Sequence, residues 1–369
     1  MKYPMSNYSV ADQRFMTRAM QLAREGTYTT TPNPRVGCVL VDAANNIVGE
    51  GYHVRAGEGH AEVNAIADAG AAARGTTAYV TLEPCSHTGK TGPCCEALVA
   101  AGVSRVVYGM EDPNPKVAGR GLDHLEAAGI QVDGPVLEYD AYELNPGFIK
   151  RMRQGLPLIR IKMAMSLDGR TAMADGTSKW ITSPRARDDV QRLRARSCAL
   201  ITGVDSVLLD DPSLTVRLSD DARQPLRVIV DSKLRLPKDA AILSQPGKTV
   251  IATCANVNQA QSPYGDTEIW TLPEKDGRVS LQALARKLAQ QECNEVLVET
   301  GATLAGAFVS SGLVDELVIY MAGKLLGSTA RPLFDIPISK MSAQLPLSIT
   351  DIRAIGDNWR ITAIPDPEG

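Results

Sequence analysis

With 369 residues, 44% of them hydrophobic and 22% charged, the chain is too long for one ordinary core and suits two. A formal net charge of −3 and an aromatic content of 5% offer neither a global basic field nor a stacking surface for a polyanion, so nucleic acid is not an expected partner. Every apolar run stops short of the ~18 residues of a membrane span, and no membrane partner is expected either.

In chain order, the first predicted element is a helix. Ser9 can cap it with Asp12 three residues on, Phe15, Ala19 and Leu22 follow at helical spacing, and Gly26 ends it. Its neighbour, the opening stretch 1–6, lacks the apolar core of a secretory signal, so the expected location is the cytoplasm. Two strand-like runs, 36–41 and 47–53, flank the turn-forming 42–46 and predict a hairpin. An Ala-rich helix over 60–73 follows, then a strand over 77–82, a Gly/Pro-rich loop and a helix over 94–101. A strand over 103–108 and a helix over 122–128 complete a helix-covered sheet, an α/β layer fold. The stretch 145–157 is basic and broken by Pro and Gly, and the domain boundary is placed there, giving domains 1–153 and 154–369. The second half restarts with an apolar strand over 158–165. A helix over 184–196 and strands at 199–202, 226–230, 249–253, 295–298 and 316–320 predict a second α/β domain.

One constellation carries chemistry. His60 opens a helix as His60-Ala61-Glu62, and Cys85 and Cys94 follow about two dozen residues later, Cys94 at a helix entry. One His and two Cys make a three-ligand zinc site whose fourth position is left to water, and zinc brings that water's pKa towards neutrality. Glu62, not a ligand, can take the proton and pass it to departing ammonia. Residues two apart diverge within a helix, so the pairing requires His60 at the cap, which Gly57 and Gly59 permit. The competing reading is a set of buried thiols, or a structural zinc closed by His87 as fourth ligand. Cys95 is expected to point elsewhere, and Cys38, Cys198, Cys254 and Cys293 to sit in the core. In the second half, the run 295–307 reads as strand, glycine turn and helix. Its amides can hold a phosphate, although a plain αβ turn would look the same.

The loop from Pro84-Cys85 to Pro93-Cys94, with Thr31-Pro32-Asn33-Pro34-Arg35-Val36-Gly37 upstream and Asp112-Pro113-Asn114-Pro115 downstream, resembles the deaminase half of the bifunctional deaminase/reductase family of riboflavin biosynthesis. That family usually has Pro where Gly92 stands. Ile161 to Gly169, Lys179 to Ser183 and Asp210 to Arg217 resemble its reductase half, so the likeness covers nearly the whole chain. The resemblance implies a cytidine-deaminase-like α/β/α domain followed by a dihydrofolate-reductase-like α/β domain. It implies zinc, one per chain, on His60, Cys85 and Cys94, with Asn33, His53 and His87 lining the pyrimidine pocket. It further implies hydrolytic deamination of diaminohydroxyphosphoribosylaminopyrimidine with Glu62 as proton shuttle. NADPH would then reduce the ribosyl chain of 5-amino-6-(5-phosphoribosylamino)uracil to ribityl. NADPH would contact Ala164, Trp180, Ser206, Asp210, Ser232 and the turn Gly301, Ala302, Thr303, Leu304, Ala305, Gly306 and Ala307. Substrate would contact Ser178, Arg194, Leu214, Arg217 and Glu299. Two plainer readings stay open: Arg194 on a solvated helix face with Arg192 and Arg196, and Trp180 in the core. The expected partners are small phosphoribosyl-pyrimidines, and a homo-oligomer, a dimer favoured, is the expected assembly. A polynucleotide deaminase and a non-catalytic zinc-stapled scaffold are the rival functions, the first disfavoured by the charge and aromatic content.

Overall fold

The computed structural model describes residues 8–86, 92–114, 118–219, 222–256 and 262–366. The chain divides into two compact units, one ending at Gly155 and the other starting at Leu156.

In the first unit, α1 (Val10–Glu25) starts on a reciprocal cap: the Asp12 amide donates to the Ser9 hydroxyl, and the Ser9 amide donates to the Asp12 carboxylate. β1 (Gly37–Val41) and β2 (Ile47–Tyr52) form the expected antiparallel hairpin. α2 (Ala61–Ala69), β3 (Thr77–Val80), α3 (Cys94–Ala101), β4 (Arg105–Tyr108), α4 (Arg120–Ala127), β5 (Gln131–Asp133), α5 (Glu138–Leu144) and α6 (Pro146–Gln154) follow. The sheet runs β2-β1-β3-β4-β5, with β3, β4 and β5 parallel. Because strand side chains alternate faces, Val39, Tyr79 and Val107 pack under α1, α5 and α6. Leu40, Ala78, Val80 and Val106 pack under α2, α3 and α4 on the other face.

The stretch 145–157, where the boundary was expected, holds a helix, α6. Pro146 occupies the first turn of α6 and Gly155 its left-handed C-cap, φ 66°, which is how a helix is punctuated. The expected boundary between 153 and 154 therefore falls inside the last turn of α6, and the units part at 155/156.

The second unit is built on one nine-stranded sheet. Its elements are β6 (Leu158–Ser166), β7 (Arg170–Ala172), α7 (Pro184–Arg196), β8 (Ala199–Gly203), α8 (Val204–Asp210), β9 (Leu226–Val230), β10 (Thr249–Thr253), β11 (Glu268–Thr271), β12 (Glu274–Lys275), β13 (Arg278–Val279), α9 (Leu281–Gln290), β14 (Glu295–Glu299), α10 (Ala302–Ser310), β15 (Glu316–Ala322), β16 (Arg331–Pro332), β17 (Leu347–Ile355) and β18 (Asn358–Pro365). The order is β11-β10-β9-β8-β14-β6-β15-β18-β17, parallel from β11 to β15 and antiparallel at β18 and β17. α9 and α10 cover one face and α7 and α8 the other. The carboxyl ends of β6, β8, β9 and β14 thus open on one edge, where open α/β sheets bind ligands. Among the described residues, no helix is long and apolar enough to cross a membrane.

Candidate active sites

Three elements deliver the metal-ligating atoms of the first unit. His60 is the N-cap of α2, Cys94 is the first residue of α3, and Cys85 sits in the loop after β3. Glycines set the position of α2: a Cβ on Gly51 would lie 2.4 Å from the Ala65 nitrogen and 2.5 Å from the Ala61 oxygen, so only glycine lets α2 lie this close to β2. The loop carrying Cys85 is held by Glu83, a residue the motif reading passed over. Its buried carboxylate accepts the backbone N–H groups of Asp112, Gly119 and Gly121 at 3.0–3.1 Å.

His60 Nδ1 lies 3.2 Å from Cys94 Sγ and 3.6 Å from Cys85 Sγ, and all three donor atoms fall within 4.8 Å of one another. Tetrahedral zinc with its usual bond lengths separates N and S ligands by about 3.6 Å and two S ligands by about 3.8 Å, so the donor set fits one zinc ion. Cys85 receives the Cys94 amide at 3.4 Å. Hydrogen bonding from the Cys94 thiol, with that from His60, outweighs burial and lowers the Cys85 thiol below its ordinary value. Cys95 packs in the core instead, as do Cys38, Cys198 and Cys293. Cys254 departs from expectation: it is half-buried, its thiol on the Ser232 carbonyl.

Glu62 is buried beside these ligands. Burial first, then the Cys85 charge, push its carboxyl up to about 7, and a bound cation would act in the opposite direction. The His53 ring stands 5.1 Å from that of His60, edge on. Its Nδ1 lies 3.1 Å from the Gly59 carbonyl, which can only accept, and its Nε2 lies 3.0 Å from the Asn33 amide nitrogen. The pair fixes the neutral Nδ1–H tautomer, in keeping with a pKa lowered by burial. Asn33 and His53 are therefore joined at the zinc cluster. His87 lies outside the described residues, and His124 is exposed on α4.

In the second unit a cavity of about 730 Å³ is lined by Ala164, Ser178, Trp180, Arg194, Ser206, Asp210, Leu214, Arg217, Glu299 and the turn from Gly301 to Leu304. Arg194 is not on a solvated face: its Nε and Nη2 donate to the two Glu299 oxygens at 2.6 and 2.9 Å, and Nη1 donates to the Thr215 carbonyl. Trp180 is not core but 63% exposed, with the Arg187 guanidinium over its ring. Arg217 is exposed, its Nη1 on the Thr215 hydroxyl. Leu214 is buried in the core below the cavity. Ser178 donates to Asp210 at 3.2 Å, and Ser206 accepts the Gly301 amide at 3.1 Å. Gly301 caps α10, so the turn presents a helix N-terminus to the groove. Ala305 and Gly306 face away: Ala305 is core, and a Cβ on Gly306 would meet the Asp335 carbonyl at 2.2 Å. Ser232 and Ala307 line an adjoining cavity. Lys162, half-buried on central strand β6 with its Nζ 3.9 Å from Glu299, also lines the groove. Sequence reasoning missed it; the signal was a polar residue recurring at Arg160 and Lys162 in an otherwise apolar strand.

Residues 157–361 match the family model of the RibD C-terminal domain, and residues 9–110 that of the cytidine and deoxycytidylate deaminase zinc-binding region. The riboflavin biosynthesis protein RibD of Escherichia coli is 51% identical, covering 94% of this chain and 97% of that relative. That of Haemophilus influenzae is 46% identical over 98% and 99%. Among solved structures, Acinetobacter baumannii RibD superposes with a TM-score of 0.90 at 44% identity, covering 96% of this chain and 99% of that one. The Thermotoga maritima diaminohydroxyphosphoribosylaminopyrimidine deaminase/5-amino-6-(5-phosphoribosylamino)uracil reductase does so with a TM-score of 0.87 at 31% identity over the same shares.

Proposed function

Because this chain belongs to the RibD family, bifunctional deaminase/reductases of riboflavin biosynthesis, we propose that it first deaminates diaminohydroxyphosphoribosylaminopyrimidine by hydrolysis. It then reduces the ribosyl chain of 5-amino-6-(5-phosphoribosylamino)uracil to ribityl with NADPH. The unit ending at Gly155 carries the first activity and the unit starting at Leu156 the second, in a cytoplasmic homodimer.

The observation that carries the reading is the convergence of His60, Cys85 and Cys94 at zinc spacing with a buried, non-ligating carboxylate beside them. Zinc held there supplies an activated water. Glu62, buried beside the ligands and not one of them, accepts the proton and returns it to the leaving amino group. Asn33 and His53, locked to one tautomer, present fixed donors and acceptors to the pyrimidine edge, and His87 joins them.

In the second unit, the amides from Gly301 to Leu304 suit a pyrophosphate, Ser206 pins that turn to α8, and Ala164, Trp180, Asp210 and Ser232 complete the NADPH contacts. Ser178, Leu214 and Glu299 face the substrate. Arg194 aligns Glu299, and Arg217, whose guanidinium donates to the Thr215 hydroxyl, takes the ribose phosphate.

Replacing Glu62 with Gln tests the assignment. Deamination should fall by about 10²–10⁴-fold, while zinc stays near one per chain and the reductase is unchanged. Loss of zinc from this variant would make Glu62 a ligand and overturn the proton-shuttle role.

A further inference from the structure

A second cavity of about 730 Å³ adjoins the groove of the second unit and shares Gly203, Asp205, Thr303 and Leu304 with it. Its outer wall is unusually cationic for a chain whose formal charge is −3. Lys275 and Arg278 stand directly opposite each other in the two-stranded hairpin β12–β13. The turn between them, Asp276-Gly277, has φ of 53° and 73°, the pattern of a tight two-residue hairpin that holds its flanking side chains in register. Like charges placed opposite in a strand pair repel, so this pairing opposes hairpin stability and calls for a reason outside the hairpin.

Lys233 and Arg235 reach the same cavity from the loop after β9. The Val279 amide donates to the Ser232 hydroxyl at 3.0 Å, tying that loop to the hairpin. Arg235 is matched by Asp205 at 2.7 Å, and Asp276 is the other carboxylate lining the cavity. Lys233, Lys275 and Arg278 make no ion pair among the described residues. Four cations against two carboxylates leave an excess of positive charge facing the cavity.

We propose that Lys233, Lys275 and Arg278 form the seat of the 2′-phosphate on the adenosine ribose, and so set NADPH over NADH. This rests on the reading of the second unit as a dinucleotide reductase. With the pyrophosphate at the N-terminus of α10, the adenosine half extends past Leu304 into the adjoining cavity. There Ser232 lies on the wall beside the cations. A dianionic monophosphate needs several permanent donors, and the forked guanidinium of Arg278 beside two ammonium groups provides them.

The test is calorimetric titration of the full chain with adenosine 2′,5′-bisphosphate and with AMP, which lacks the 2′-phosphate. Wild type should bind the bisphosphate about 10–100-fold more tightly, the effect of losing one charge-assisted contact, with the preference shrinking as salt rises. A Lys275→Gln/Arg278→Gln double variant should lose that preference while its AMP affinity stays within twofold, which also certifies its fold. Lys233→Gln should lose part of it. Retention of the full preference in the double variant would place the phosphate elsewhere and overturn the assignment alone. Equal loss of both nucleotides would also overturn it, making these residues supports for the adenosine or the fold. Failure of wild type to bind either nucleotide would overturn the dinucleotide reading together with this one.

Discussion

At the scale of single residues, chemistry that follows from short spacing was legible and chemistry assembled across distance was not. His60 and Glu62 are two apart, and glycines upstream were enough to place one at a cap and the other inside the helix. The Asn33–His53 contact spans twenty residues and exists because β1 and β2 turn back on each other, the His53 amide donating to the Val36 carbonyl. Without the family resemblance neither residue stands out. Asp12 shows the same gap. The sequence assigns it half of a helix cap, whereas the structure also gives it the Tyr79 hydroxyl at 2.9 Å and the Arg105 guanidinium at 2.8 Å. Burial raises the carboxyl's pKa, but hydrogen bonds from Arg105, Ser9 and Tyr79 outweigh it and hold the group at about 2. A depressed carboxyl contributes stability above its unfolded pKa, near 3.9, and loses it as pH falls towards the folded value. Asp12→Asn should therefore lower the unfolding midpoint at pH 7, and the gap from wild type should close between about pH 4 and pH 2. Thermal melts of both proteins across that range measure it. A gap that stays constant down to pH 2 would show that the Asp12 charge does not stabilise the fold.

Among elements, those with clean punctuation or an unbroken hydrophobic period were readable. α1 announces itself through Ser9, Asp12 and a regular apolar stripe, and α3 through Cys94 to Ala101 before a left-handed Gly102. α6 was not expected: Pro and Gly in a basic stretch mark a domain boundary, yet Pro at the first turn and Gly at the C-cap are helix signals as well. β17 has the alternation Leu347, Ile349, but the register shift between Ile349 and Asp351 puts the next apolar residue at Ile352, and a period-two search loses the strand there. The seat of α2 could not be read at all, since nothing in Gly49 or Gly51 says which helix approaches them. It has a direct consequence for the zinc cluster. A methyl on Gly51 would press on Ala61 and Ala65, and Ala61 adjoins His60. Gly51→Ala should cost about 1–3 kcal/mol of stability through overpacking and should speed zinc loss to a chelator. The reductase, on its own core, should be unaffected. Wild-type melting and zinc retention in this variant would mean that α2 moves freely enough to make the glycine dispensable.

At the scale of the whole molecule, each unit closes its own core on both faces of its sheet, which is why length and composition alone pointed to two domains. One surface does not close. β17 ends the nine-stranded sheet, and its Leu347, Ile349 and Ile352 stand opposite Pro365, Ala363 and Ile361 of β18, with Trp359 opposite Ala354. Residues opposite in a strand pair share a face, and the register shift keeps Ile352 on the face of Ile349. Leu347, Ile349, Ile352 and Trp359 are each between 44% and 59% exposed, a contiguous apolar patch of the kind that marks an interface. Two copies related by a twofold axis can cover it mutually, since an isologous contact uses the same patch twice. Light scattering on the purified chain at micromolar concentration should give twice the 39.5 kDa chain mass. Ile352→Glu/Trp359→Glu should give the monomer mass without loss of β structure by circular dichroism, because carboxylates facing each other across the axis repel and remain solvated only when apart. A monomeric wild type would remove the dimer from the proposed function. A double variant that stays dimeric would move the interface to another surface.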